Sequence, residues 1–264
     1  MSMVIATIVV LAIIGLVIGY LLVTAGEKFK VEVDPRETEV RELLPGANCG
    51  ACGYAGCDAL AAAIAKGEAP TNACSAASSE AKQAIADVMG VAAAPDGPKN
   101  VAYVKCSGAC GVVKIKSNYI GVQTCEAAAS NTGKSGQACQ YGCLGFGSCT
   151  KVCPYDAIHV VNGLAVVDRS KCVACGKCVA TCPQHIIEII PDPSKYAVQC
   201  SSNDKGPAVK AACTAGCIGC GLCVRQCKDG AISLNNNVAH IDQSKCTGCG
   251  SCAAKCPVKI IHMR

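Results

Sequence analysis

Residues 171–183 read KCVACGKCVATCP and residues 245–257 read KCTGCGSCAAKCP. In each, three cysteines stand two residues apart, a fourth follows after three more, and a proline closes the run. The first run is Cys172, Cys175, Cys178 and Cys182 with Pro183; the second is Cys246, Cys249, Cys252 and Cys256 with Pro257. A third run, Cys217, Cys220, Cys223 and Cys227, has the same spacing but carries Lys228 in place of the proline. This is the spacing with which short loops cage [4Fe–4S] clusters. A chain built on it is expected to carry electrons.

The remaining composition agrees. The chain has 264 residues, 25 of them cysteine, with no Trp, two Phe and seven Tyr. Large aromatic cores are therefore excluded, and small domains with thin cores need metal or covalent staples. Disulfide scaffolds favour short secreted chains with irregular spacing, and zinc sites use paired CxxC units without the four-cysteine run. The formal charge of +5 counts every cysteine as neutral. Ligating thiolates make the loaded protein more negative, so the slight basic excess compensates cluster charge and argues for no nucleic-acid partner. Unpaired thiols and clusters suit a reducing, anaerobic cytoplasm.

Val4 to Ala25 contains no charged residue, and Lys28, Lys30, Arg36 and Arg41 follow it. As a helix it spans about 33 Å, the thickness of a bilayer core. The expectation is a single-pass anchor over 1–26 in the cell (inner) membrane, contacting lipid through residues 4–25, with the bulk of the chain cytoplasmic. A cleaved secretory signal needs a basic start and a shorter apolar run, and both are missing. Gly15 and Gly19 form a GxxxG pair able to pack against another membrane helix.

Residues 27–91 form an N-terminal [4Fe–4S] module. Cys49, Cys52 and Cys57 lie close together, Cys74 is the remote fourth ligand, and glycines at 46, 50, 53 and 56 admit backbone amides to the sulfurs. A small zinc module has the same spacing. Helices are expected over Asp58–Lys66 and from Ser78 to Val91, with Gly90 near the end. Ala92 to Asn100, rich in Pro and Gly, reads as a linker.

The rest is a tandem duplication. Cys139, Cys143, Cys149, Cys153 and Cys182 recur 74 residues later as Cys213, Cys217, Cys223, Cys227 and Cys256, and Cys172, Cys175 and Cys178 recur as Cys246, Cys249 and Cys252. The fold class is α+β: a transmembrane helix, a small helical iron–sulfur module, then ferredoxin-like domains over 101–190 and 191–264. Strands are expected at 157–161, 164–167, 186–190, 231–234 and 238–241, with a hairpin turn at Asn162-Gly163 and short helices after Cys178 and Cys252.

In such domains the fourth cysteine of each run ligates the other run's cluster. That gives Cys172, Cys175, Cys178 and Cys153; Cys217, Cys220, Cys223 and Cys256; and Cys246, Cys249, Cys252 and Cys227. The first copy has Phe146 where the second has Cys220. Cys139 is the nearest replacement, so Cys139, Cys143, Cys149 and Cys182 are assigned together; an empty or three-iron site is the alternative. Five cysteines remain. Cys106, Cys125, Cys200 and Cys213 are assigned to a sixth cluster, with Cys110 as substitute ligand; buried structural thiols are the alternative.

The order of modules resembles the B subunit of the Rnf complex. The resemblance rests on the single N-terminal span, ELLPGANCGACGYAGC at 42–57, CxYGCLGxGxCxxxCP at 139–154 and the tandem cysteine runs. It implies a relay that takes electrons from reduced ferredoxin and hands them to other membrane and NAD-binding subunits, with Na+ or H+ translocated. Lys228 departs from the pattern at a position that is no ligand. An iron–sulfur subunit of a hydrogenase or formate dehydrogenase is the alternative. The chain has no Rossmann fingerprint or phosphate loop, and Gly133-Lys134-Ser135 lacks the upstream glycine a P-loop needs. His159, His185, His240 and His262 are scattered, so no bond-making site is expected. Lys105, Lys114 and Lys116 are a candidate docking stretch for an acidic ferredoxin.

Overall fold

The computed structural model describes residues 13–24, 34–95, 97, 99–192 and 196–263. Residues 13–24 are helical, and the apolar side chains of Leu16, Tyr20 and Leu22 are exposed. The rest of the expected anchor, 4–12 and Ala25, lies outside the described residues. Among the described residues no helix is long and apolar enough to cross a membrane.

Three helices follow. Pro35–Leu43 starts where the Asp34 side chain accepts from the Arg36 N–H and Pro35 presets the first turn. Cys57–Ala65 buries Leu60 and Ile64, and Ser79–Met89 is capped by Ser78 and stopped by Gly90 in the left-handed region, φ 65°. Val40, Leu60, Ala61, Ile64 and Ile85 form their shared core, which also takes in Cys57 and Cys74. An Arg41–Asp58 ion pair ties the first helix to the second.

Beyond the linker come two copies of one design. In the first, β1 (Asn100–Val104) pairs antiparallel with β4 (Ile187–Pro191), and β2 (Ile158–Val161) with β3 (Leu164–Val167). In the second, β5 (Tyr196–Val198) pairs with β8 (Ile261–Met263), and β6 (Ile232–Asn235) with β7 (Val238–Ile241). Each copy therefore has an outer pair closing its ends and an inner hairpin. The hairpins turn on Asn162-Gly163, φ 49° and 73°, and on Asn236-Asn237, φ 48° and 65°. Strands β1, β5 and β8 go beyond the sequence expectation.

Beside the helices Cys125–Ala129 and Gly206–Ala212, four one-turn helices recur across the copies: Ser148–Lys151, Lys177–Thr181, Leu222–Gln226 and Ser251–Ala254. Each is entered from a left-handed glycine, and each carries a cysteine of a run. The expected helices after Cys178 and Cys252 thus start before those cysteines and contain them. The cores are small: Val101, Tyr103, Ile158, Ile186 and Ile187 in the first copy, and Val198, Ile232, Ile241, Ile260 and Ile261 in the second.

Candidate metal centres

All 25 cysteines are free thiols, none in a disulfide. All but the exposed Cys110 gather in fours. Cys153, Cys172, Cys175 and Cys178 line one cavity of the first copy, and their repeat partners Cys227, Cys246, Cys249 and Cys252 line another in the second. Cys223 feels the charge of Cys217 and Cys220, and Cys217, Cys223 and Cys256 share the second core. In the N-terminal module Cys74 feels Cys52 and Cys49, and Cys57 and Cys74 are buried in one core against Cys52.

Two groupings differ from the sequence expectation. Cys143, Cys149 and Cys182 line a cavity with Cys125, not Cys139. Cys139 instead lines a separate cavity with Cys106, Cys200 and Cys213. The cause is local. The short helix Cys125–Ala129 is drawn onto the first copy because the Cys125 N–H donates to Ser148 Oγ at 2.9 Å, and Ser148 Oγ donates to the Glu126 carboxylate at 2.6 Å. Phe146, which holds the place of Cys220, packs its ring on Tyr119 with centroids 5.1 Å apart. The residue that replaced a cysteine therefore helps seat the loop that brings one back. Cys110 is exposed and lines neither cavity.

Several of the thiols sit where burial opposes charge. Desolvation pushes Cys106 and Cys149 up to about 12, and Cys178 and Cys223 up to about 11. A thiolate is stable in such a place only beside a cation. Backbone amides already point at the sulfurs: the Ala102 N–H donates to Cys172 Sγ at 3.3 Å, and the Ala157 N–H to Cys153 Sγ at 3.4 Å. The Tyr155 hydroxyl is buried without a partner, among Cys49, Cys57, Cys74 and Cys175. All-sulfur donor sets, buried amides aimed at sulfur and an orphaned hydroxyl fit clusters held by thiolates. Among the described residues no three Cys, His, Asp or Glu side chains converge on a point for one metal ion. Cubane ligands bind one iron each and stand further apart than the ligands of a single ion.

Four family models match. A putative Fe–S cluster model covers residues 44–76, 4Fe–4S dicluster models cover 171–232 and 216–260, and an LdpA Fe–S cluster-binding model covers 148–191. Relatives match over nearly the whole length. The chain is 42% identical to the B subunit of the Na+-translocating ferredoxin:NAD+ oxidoreductase complex of Acetobacterium woodii, over 96% of this chain and 75% of that one. It is 40% identical to the B subunit of the ion-translocating oxidoreductase complex of Methanosarcina acetivorans, over 100% and 99%. It is 42% identical to the B subunit of the proton-translocating ferredoxin:NAD+ oxidoreductase complex of Clostridium ljungdahlii, over 92% and 86%.

The chain belongs to this family of B subunits. It carries [4Fe–4S] cluster-binding domains, and the matched models fall on its tandem cysteine runs. Cys106, Cys125, Cys139 and Cys143 lie outside all four matched spans, in the segment where sequence and structure group the thiols differently.

Proposed function

We propose that this chain is the electron-relay subunit of an Rnf-type ion-translocating ferredoxin:NAD oxidoreductase. It takes electrons from reduced ferredoxin and passes them to the other subunits for NAD reduction coupled to Na+ or H+ translocation. Residues 4–25 anchor it in the membrane, and the thiol-rich part lies on the cytoplasmic side.

The observation that carries this reading is that the thiol groups adjoin one another in a single file. Cys49 of the N-terminal module acts on Cys175, and Cys178 on Cys149. The Cys143 N–H donates to Cys106 Sγ at 3.4 Å, and the Cys217 N–H to Cys200 Sγ at 3.3 Å. The helices bearing Cys223 and Cys252 pack together, as do those bearing Cys149 and Cys178. When bound, [4Fe–4S] clusters supply one-electron exchange. The polypeptide fixes their spacing, shields them and tunes them through amide donors.

The ligands we assign are Cys49, Cys52, Cys57 and Cys74; Cys153, Cys172, Cys175 and Cys178; Cys125, Cys143, Cys149 and Cys182; Cys217, Cys220, Cys223 and Cys256; and Cys227, Cys246, Cys249 and Cys252. Anaerobic purification with iron and sulfide analysis, followed by EPR after reduction with ferredoxin, tests this. Labile sulfide matching the iron, with several interacting signals, is expected. Zinc without labile sulfide would end the redox reading.

A further inference from the structure

Apart from the exposed Cys110, each copy of the repeat keeps two cysteines that the five sites above leave unused. In the first copy Cys106 follows β1 and Cys139 precedes the run; in the second Cys200 follows β5 and Cys213 precedes the run. Cys106 and Cys139 are 33 residues apart and Cys200 and Cys213 are 13 apart, so the first copy holds 20 extra residues between them. That extra length supplies Cys125 and conceals the equivalence in the sequence.

The hydrogen bonds restore it. Cys106 Sγ accepts from the N–H two residues ahead, Gly108 at 3.3 Å, and from Cys143 at 3.4 Å. Cys200 Sγ accepts from Ser202 at 3.5 Å and from Cys217, the repeat partner of Cys143, at 3.3 Å. The four thiols are thus two related pairs facing one cavity from opposite copies. The copies are stitched beside it. The Lys114 N–H donates to Ala212 O at 2.9 Å, the Thr214 N–H to Val112 O at 3.1 Å, and Ser107 Oγ to Gln199 Oε1 at 3.1 Å.

The backbone also approaches the cavity closely. Gly142 lies against two of the thiols: a Cβ there would stand 3.6 Å, ordinary contact distance, from both Cys106 Sγ and Cys139 Sγ. At Gly216, 74 residues on, a Cβ would collide with Val209 Cγ1, so glycine there lets the chain pass the helix side chain that lines the same cavity. Buried thiols that merely pack would have no need of a cavity ringed by all four, or of amides aimed at two of the sulfurs.

We propose that Cys106, Cys139, Cys200 and Cys213 hold one [4Fe–4S] cluster between the two copies, two thiolates from each. This rests on the iron–sulfur reading above and names a site that none of the matched domain models spans as a whole.

The test is an iron and sulfide count on the full chain, purified anaerobically. Wild type is expected to hold about 24 irons, four per site. Cys139→Ala with Cys213→Ala removes two ligands of one site and is expected to lose about four irons. Cys125→Ala with Cys213→Ala strikes two sites and is expected to lose about eight. The opposite pattern would return Cys139 to the Cys143 site and overturn the proposal; so would a Cys139/Cys213 double variant that keeps all its iron. If that variant loses its fold, the wild-type count decides, and about 20 irons would rule the shared cluster out. A wild-type chain without iron would sink the iron–sulfur reading itself, so the two failures are distinguishable.

Discussion

A buried hydroxyl with nothing to bond costs about 1–3 kcal/mol, and Tyr155 holds one between two of the proposed sites. Its hydroxyl is held strongly to the neutral form by burial first, then by Cys49, Cys175, Cys74 and Cys57. The missing acceptor is best supplied by cluster sulfur. The repeat supports this. Tyr155 recurs as Asp229, a carboxylate that accepts from Thr247 Oγ1 at 2.7 Å, and the nearby Cys249 is exposed where Cys175 is partly covered. A donor stands only where the N-terminal module adjoins. Hydrogen bonds to sulfur favour the more negative, reduced cluster and raise its potential. Tyr155→Phe should therefore lower the midpoint potential of one of the two adjoining clusters, with iron content and melting temperature preserved. EPR-monitored redox titration reads this directly, and unchanged potentials throughout would remove the role. Nothing in the sequence marks Tyr155, because its meaning comes from a module about a hundred residues upstream folding back onto it.

The inner hairpins and their turn residues are legible because their signals are local. Asn162-Gly163 lies between two β-branched segments, and the whole unit recurs 74 residues later. The outer strands β1, β5 and β8 are hidden for the opposite reason. β1 reads NVAYV, with four of five residues buried and no alternation, and its partner β4 lies at the far end of the first copy. Cys139 stands beside Cys106, Cys200 and Cys213, and not beside Cys143, for a different reason. Its repeat partner Cys213 is not a ligand in the complete second-copy run, so the phase of the repeat already sets Cys139 apart from the Cys143 site. Proximity along the chain points the other way, and the fold follows the phase. The hairpin also explains Cys110. Its N–H donates to Asn162 O at 2.8 Å, and a Cβ at Gly163, φ 73°, would come within 2.8 Å of Cys110 Sγ. Cys110 closes the turn of the hairpin and need not bind metal. Gly163→Ala should destabilise by about 1 kcal/mol from the backbone alone, and by more from the clash. Cys110→Ala removes the clashing sulfur, so the pair should show a coupling of about 0.5–3 kcal/mol in thermal unfolding. Simple additivity would mean that Cys110 packs elsewhere.

On the scale of the molecule, the thiol groups run from the helical module through the first copy, across the shared cavity and into the second. A relay of this shape exchanges electrons with a partner wherever a surface near the file is free to dock. The loop 114–122 projects from the extra segment between Cys106 and Cys139, with Lys114 and Lys116 exposed and Ile115, Ile120 and Val122 exposed to 62%, 92% and 68%. Cations around bare apolar side chains suit an acidic partner that also buries hydrophobic surface. Lys105, the third lysine of the expected stretch, is drawn out of that role by Glu188, 3.1 Å away across the β1–β4 pair. Tertiary pairing thus leaves two of the three lysines of the expected stretch exposed for such a role. Lys114→Glu with Lys116→Glu, in the intact membrane complex, should raise the KM for reduced ferredoxin about tenfold, as expected when each reversal costs about 0.5–1 kcal/mol. The maximal rate with a small artificial donor should hold, because no thiol or cavity wall is touched. The salt dependence of the KM should flatten, since the charges that salt screens are gone. A ferredoxin KM and salt profile matching wild type would place the docking face elsewhere, and the exposed end of the file around Cys249 would become the surface to test.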